Sequence, residues 1–151
     1  MGVLYFVGVA LSMRSVISLL FLLLIGGVAM AAGAPSQKHD FSPGQVWTFH
    51  LDSGEPAATL TILKVETLEK TGAVVHISVS AVRMPGGVTS IGHLPMSRDA
   101  LDRSVLKLVR TENGPPDLGG YETWKSAKGG VFTTTVSEAM SFVRQAVERQ
   151  K

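Results

Sequence analysis

The sequence predicts an α+β fold in which an antiparallel sheet of four to five strands carries two to three helices packed on one face. Apolar and polar residues alternate between residues 45 and 83, and apolar residues recur at helical spacing toward the C-terminus. The predicted element order is β-β-β-(β)-α-(α)-β-α, and this order is typical of a sheet covered by helices.

Three strands are predicted from the alternation. The first, at residues 45–51, places Trp47 and Phe49 on one face. A run rich in β-branched residues follows at residues 58–68. In the third, at residues 73–83, the apolar positions 73, 75, 77, 79 and 81 alternate with a series that contains His76, Ser78 and Ser80. Because the intervening turns are short, we expect an antiparallel meander, which a short fourth strand at residues 88–94 extends.

A helix is predicted after the fourth strand. Ser97 suits its N-cap, and the helix is expected to end at the Asn-Gly-Pro-Pro sequence of residues 113–116. Its apolar positions are Leu101, Val105, Leu108 and Val109.

The C-terminal part is predicted to hold two helices and one strand. A short helix is expected within residues 118–128, and the β-branched residues 131–136 predict a strand that lies beside an earlier one. Thr135 or Ser137 is expected to cap a final amphipathic helix.

The N-terminal residues are predicted to be a bacterial export signal. Arg14 precedes a ten-residue apolar run, and the small residues Ala29 and Ala31 suit cleavage before residue 32. The protein is therefore expected in the periplasm or outside the cell. The alternative is an uncleaved anchor in the inner membrane, because the uncharged span is long enough to cross a bilayer.

This interpretation divides the chain into three parts. They are a signal peptide at residues 1–31, with Met13 as the expected translation start, a flexible mature N-terminus at residues 32–40 and a single domain at residues 41–151. We expect the protein to contact a membrane only through the signal, before cleavage.

Composition excludes several functions. Without the signal the chain has thirteen basic and twelve acidic residues, spread singly, so nucleic acid is not an expected partner. The sequence contains no cysteine, which excludes a lipid-modified cysteine and a thiol-based site. The motifs of phosphate-binding loops, nucleophile elbows, zinc helices and calcium loops are absent. We therefore expect no cofactor and favour a non-enzymatic function.

Five residues are candidate binding residues. His93 could act as a base for Ser97, although serine at this position is more simply interpreted as a helix N-cap. Arg98, at the same helix N-terminus, could help to hold an anion. Tyr121 and Trp124 lie in a segment flanked by glycine and proline, where they are either core residues or interface anchors.

Two histidines are considered as metal ligands. His50 and His76 fall on predicted neighbouring strands, and imidazole binds zinc and copper. No third ligand follows from the spacing, so we predict solvent-facing histidines and no metal site.

Four segments also resemble a family of small exported bacterial proteins to which no activity is assigned. They are Pro-Gly-Gln-Val-Trp at residues 43–47, and residues 59–66, 75–79 and 93–97. The resemblance covers nearly all of the mature chain, and it implies no catalytic residue.

The expected function is that of a protein-binding module of inhibitor or immunity type, because the charge-balanced domain lacks an evident catalytic set. Its expected partner is another envelope or secreted protein. Two alternatives remain: a carrier of a small apolar ligand held between sheet and helices, and a small hydrolase that uses His93.

Overall fold

A computed structural model describes residues 38–51 and 58–149 of the protein. The predicted signal, its cleavage site, the start at Met13 and the first predicted turn lie outside these residues. None of the helices within the described ranges is both long and apolar enough to cross a membrane.

Five antiparallel strands form one sheet, which confirms the predicted fold class. The strands are β1 (Gln45–Phe49), β2 (Thr59–Leu68), β3 (Gly72–Ser80), β4 (Ser90–Ser97) and β5 (Val105–Thr111). Their order in the sheet is β4-β3-β2-β1-β5. The first four strands therefore form the expected meander, and β5 returns to pair with β1.

Within the described residues, three helices accompany the sheet, together with a 3-10 turn at Pro85–Gly87. They are α1 (Arg98–Asp102), α2 (Gly119–Ser126) and α3 (Val136–Glu148). Helices α1 and α3 pack on the core face, where Leu101 and Met140 meet the strand residues Trp47 and Ile77. Helix α2 lies against the other face, on which its Tyr121 contacts His76 of β3. The prediction that all the helices pack on one face is therefore wrong, because Tyr121 of α2 packs on the face opposite the main core.

The predicted long helix after Ser97 is wrong. Helix α1 ends at Asp102, and the residues that follow Ser104 form β5, paired antiparallel with β1. A short apolar run fits a helix or a strand equally well by its spacing. The unpaired edge of β1 decides in favour of the strand, because it offers backbone hydrogen bonds to residues of high β-propensity.

The predicted strand at residues 131–136 is also wrong. A single parallel bridge joins Phe132 to Met96 of β4, and Val136 is already the first residue of α3. Thr135 ends the extended segment because its side chain and that of Glu138 form a capping box. The expected cap of the last helix and the short helix within residues 118–128 are confirmed.

A β-bulge in β2 changes which side chains face the core. Ile62 pairs with Ile77, and both are core residues, but the register then shifts and Lys64 pairs with His76. Lys64 and Glu66 therefore lie on the face that α2 covers, whereas uninterrupted alternation would place them with Ile62.

Candidate functional site

The predicted site residues lie in two separate places. His93, Tyr121 and Trp124 come together on the face of the sheet that α2 covers. Ser97 and Arg98 lie at the start of α1, where their side chains have other partners.

Ser97 is a helix cap rather than a partner of His93. Its hydroxyl oxygen accepts a hydrogen bond of 3.3 Å from the backbone N–H of Ala100. The imidazole of His93 is hydrogen-bonded to His76 instead. His93 is therefore not placed to act as a general base for Ser97.

Arg98 ties the residues before β1 to α1. Its guanidinium donates to the carbonyl of His39, lies 3.8 Å from the carboxylate of Asp102 and stacks over Phe41 at 5.6 Å from the ring centroid. The backbone N–H of His39 also donates to Asp102, at 2.8 Å. Within the described part of the chain, Arg98 therefore has a structural role: it holds the residues before β1 against α1.

The other group of residues, here called the histidine cluster, is centred on His76. It consists of Lys64, Glu66, His76, His93, Tyr121 and Trp124. His76 is fully buried, with its Nε2 3.0 Å from Glu66 Oε1 and its Nδ1 2.9 Å from His93 Nε2. The two imidazoles are nearly parallel, and Tyr121 and Trp124 meet His76 edge-on at 4.9 and 4.8 Å between ring centroids.

Glu66 is held from several sides. Its second oxygen accepts a hydrogen bond of 3.1 Å from the hydroxyl of Tyr121 and lies 3.4 Å from the ammonium of Lys64. Lys64 also donates to the Tyr121 hydroxyl, at 2.7 Å. Both oxygens of this carboxylate therefore have partners within the cluster.

The surroundings of the cluster determine its charges. Burial lowers the pKa of His76 despite the hydrogen bond to Glu66. Burial, together with repulsion from the charge that His76 carries when protonated, lowers the pKa of His93 to about 4. Burial acts to raise the pKa of Glu66, but the hydrogen bonds from His76 and Tyr121 and the charge of Lys64 outweigh it and leave that pKa lowered. The hydrogen bond with Tyr121 raises the pKa of Lys64. At neutral pH, Glu66 and Lys64 are therefore charged and both histidines are neutral.

These charges fix the position of each imidazole proton. Because the Glu66 carboxylate accepts, His76 Nε2 carries the proton and His76 Nδ1 accepts. His93 Nε2 must then donate to His76, which leaves His93 Nδ1 with a lone pair. The Glu66, His76 and His93 side chains thus form a directed chain of hydrogen bonds.

Two clefts adjoin the cluster, and Trp124 borders both. The first, here called the lysine cleft, has a volume of about 620 Å³. The second, here called the apolar cleft, has a volume of about 440 Å³. The residues that line the lysine cleft are Lys64, Glu66, Leu68, Thr71, Tyr121, Trp124, Lys125, Lys128, Gly129, Gly130 and Val131. Those of the apolar cleft are His93, Leu94, Pro95, Trp124, Gly130, Val131, Phe132 and Val143.

Trp124 is held in place by the turn that follows α2. Its indole N–H donates to the carbonyl of Gly130 at 2.8 Å. A Cβ at Gly129 would lie 2.1 Å from Trp124 Cδ1, so only glycine allows the turn to approach the ring this closely.

Three members of the cluster were not among the candidate residues. The β2 bulge places Lys64 and Glu66 in the cluster, and the pattern of apolar and polar residues does not show where this bulge occurs. His76 was expected to face solvent, and this prediction is wrong because the ring is enclosed by His93, Tyr121 and Trp124. His50 is exposed. Among the described residues, no group of three or more His, Cys, Asp or Glu side chains is placed to hold a metal ion.

Comparison of the chain with protein-family models, with curated proteins and with solved structures finds no match.

Proposed function

We propose that this protein is an exported, non-enzymatic binding module that holds a small anionic ligand with a flat apolar part in the lysine cleft. The observation that carries the proposal is the combination of exposed lysines and a half-buried indole around one concavity. Lys125 and Lys128 border the cleft beside Trp124. Neither lysine forms an ion pair within residues 38–51 and 58–149, and Lys125 has only a cation–π contact with Tyr121, at 5.7 Å from the ring centroid. Neither ammonium group is therefore neutralised by a carboxylate there.

The size of the cleft favours a small molecule. Clefts of about 300 to 1,000 Å³ are typical of small-molecule sites, and the lysine cleft falls in this range. Such a ligand would lie between β2 and α2 and outside the main core, which occupies the opposite face of the sheet. The lysines favour an anionic ligand over the fully apolar one considered from the sequence.

The two walls of the cleft have different roles in this proposal. Trp124 offers apolar surface for a flat group, while Lys125 and Lys128 offer cations for a carboxylate or a phosphate. Lys64 neutralises Glu66, and both Glu66 oxygens are already hydrogen-bonded, so this carboxylate repels an anion only weakly.

Titration calorimetry with 2-naphthoate tests the proposal, with the uncharged 2-naphthamide as the comparison ligand. We expect saturable binding of the naphthoate and weaker binding of the amide. Lys125→Gln and Lys128→Gln should each weaken the binding of the naphthoate about two- to five-fold, since an exposed ion pair contributes up to about 1 kcal/mol. The effect should decrease at high salt.

Lys107→Gln is the matched control, because Lys107 is an exposed lysine on β5 that does not line the cleft. It should bind the naphthoate as the unchanged protein does. Equal affinities for the naphthoate and the amide, or equal effects of all three substitutions, would contradict the proposal.

A protein-binding module is the second candidate function, favoured by the edge strand β5. Leu106, Leu108 and Val109 on this strand are 52%, 40% and 48% exposed. Exposed apolar side chains on an edge strand are typical of a surface to which another chain can add. An absence of naphthoate binding would favour this candidate over a small-molecule ligand.

A further inference from the structure

The imidazole of His93, beside the apolar cleft on the other side of Trp124, has one nitrogen without a hydrogen-bond partner among the described residues. His93 lines this cleft, and its Nε2 is hydrogen-bonded to His76. Within residues 38–51 and 58–149, the buried side-chain oxygens and nitrogens without a hydrogen-bond partner are Asp102 Oδ2 and Thr134 Oγ1. His93 Nδ1 has no hydrogen-bond partner in these ranges either and is not one of those buried atoms, so it is accessible from outside.

The hydrogen-bond chain fixes the character of this atom. Glu66 accepts from His76, and His76 in turn accepts from His93, so Nδ1 of His93 presents a lone pair and no proton. Because the anchoring carboxylate also accepts from Tyr121 and contacts Lys64, it is held in its ionised form. His93 is therefore a preorganised hydrogen-bond acceptor.

The remaining walls of the cleft are apolar. Leu94 and Pro95 of β4, Phe132 of the following bridge, Val143 of α3 and the Trp124 indole surround the imidazole. None of the described residues that line this cleft carries a charge when His93 is neutral. A charged ligand would lose its hydration here without gaining a counter-ion.

We infer that the apolar cleft binds a neutral, ring-shaped apolar molecule that carries a hydroxyl group, of the phenol or cyclic-alcohol class. The hydroxyl donates to His93 Nδ1, and the ring packs between Val143 and Trp124. The two clefts share Trp124, Gly130 and Val131 as walls, but His93 and Val143 line only the apolar cleft, whereas Lys125 and Lys128 line only the lysine cleft. They therefore differ in charge and in ligand class.

The first test compares 4-ethylphenol with 4-ethylanisole, which differ in whether the oxygen can donate. Both are titrated into the unchanged protein in a calorimeter. We expect the phenol to bind about five-fold or more tightly than the anisole, because a hydrogen bond to a preorganised acceptor contributes about this much to affinity. Equal affinities of the phenol and the anisole would overturn the inference.

Substitutions on α3 locate the binding. Val143→Phe should fill the cleft and weaken phenol binding at least about ten-fold. This corresponds to a loss of binding free energy of about 1.4 kcal/mol, within the range that overpacking costs. It should leave 2-naphthoate binding unchanged. Val147→Phe, one turn further along the same helix and outside the cleft, is the control and should bind the phenol normally. Phenol binding that survives Val143→Phe would overturn the inference.

A spectroscopic measurement tests the acceptor directly. Nitrogen-15 NMR of the imidazoles at pH 7 should show His93 Nδ1 without a proton, and 4-ethylphenol should shift this resonance while 4-ethylanisole should not. A protonated Nδ1, or equal shifts with both compounds, would overturn the inference. Weaker 2-naphthoate binding in Lys125→Gln with unchanged phenol binding would show that the two clefts act separately.

Discussion

At the scale of single residues, Lys128 holds a backbone conformation that favours glycine. Its φ is 52°, and it follows Ala127, the C-cap of α2. The N–H groups of Lys128 and Gly129 donate to the carbonyls of Lys125 and Trp124 at 3.2 and 2.9 Å, which completes a Schellman motif. Glycine is the usual residue at this position, so Lys128 adopts the left-handed conformation at an energetic cost. Its side chain places a cation at the lysine cleft.

Lys128→Gly should therefore raise stability and lower affinity together. We expect the free energy of unfolding to increase by about 0.5 to 1 kcal/mol, since the strain of a left-handed side-chain residue exceeds the entropy cost of glycine. We expect the affinity for 2-naphthoate to fall about two- to five-fold. Urea unfolding and calorimetry measure the two quantities.

Ala81→Gly provides the matched control. Ala81 has a φ of 58° and lines neither cleft, so its substitution should stabilise the protein by a similar amount and leave affinity unchanged. A loss of stability in Lys128→Gly, or an affinity equal to that of the control, would contradict the role assigned to Lys128.

At the scale of elements, a capping box determines where α3 begins and so which residues of this helix reach the core. The Thr135 hydroxyl accepts from the N–H of Glu138 at 3.3 Å, and the Glu138 carboxylate accepts from the N–H of Thr135 at 2.9 Å. These contacts with Thr135 lower the pKa of Glu138. The helix that begins here carries Val136 and Met140 into the core.

Thr135→Ala should lower the free energy of unfolding by about 1 kcal/mol, because the helix loses its cap. Thr135→Ser keeps the hydroxyl and should retain most of the stability. Urea unfolding of both variants checks the prediction. Equal losses in the two variants would show that the methyl group of Thr135, and not its hydroxyl, stabilises the start of α3.

At the scale of the whole molecule, the histidine cluster couples stability to pH. His76 and His93 both have lowered pKa values in the folded protein, so below the ordinary value of 6.5 the unfolded chain binds more protons. Stability should therefore fall as the pH decreases from about 6.5 to about 4. The lowered pKa of Glu66 extends the loss below pH 4.5.

Urea unfolding between pH 7 and pH 4 measures this dependence. His93→Gln should show a shallower decrease than the unchanged protein, since it removes one of the two histidines that resist protonation. Val88→Ala, a substitution of an exposed residue outside the cluster, should keep the original pH dependence. Equal slopes for the unchanged protein and His93→Gln would contradict the assignment.

Part of the candidate site could be recognised from the sequence. Tyr121 and Trp124 were candidates because a segment rich in glycine and proline made a core role uncertain, and His93 was a candidate because of nearby polar residues. The hydroxyl of Ser97 caps α1, which confirms the simpler interpretation of that residue, so the alternative in which His93 acts as its base is wrong. Glu66 and His76 could not be found, since only the register shift between β2 and β3 brings their side chains together.

The sequence by itself determined the meander of β1 to β4 and the start of α3. Alternation and capping are local signals that the chain carries within a few residues. Only the tertiary structure decided that residues 105–111 form β5, because a short apolar run takes its conformation from the edge available to it. The histidine cluster and the two clefts likewise depend on tertiary structure. A bulge of one residue reverses the faces of a strand, and the pattern of side chains does not reveal where it occurs.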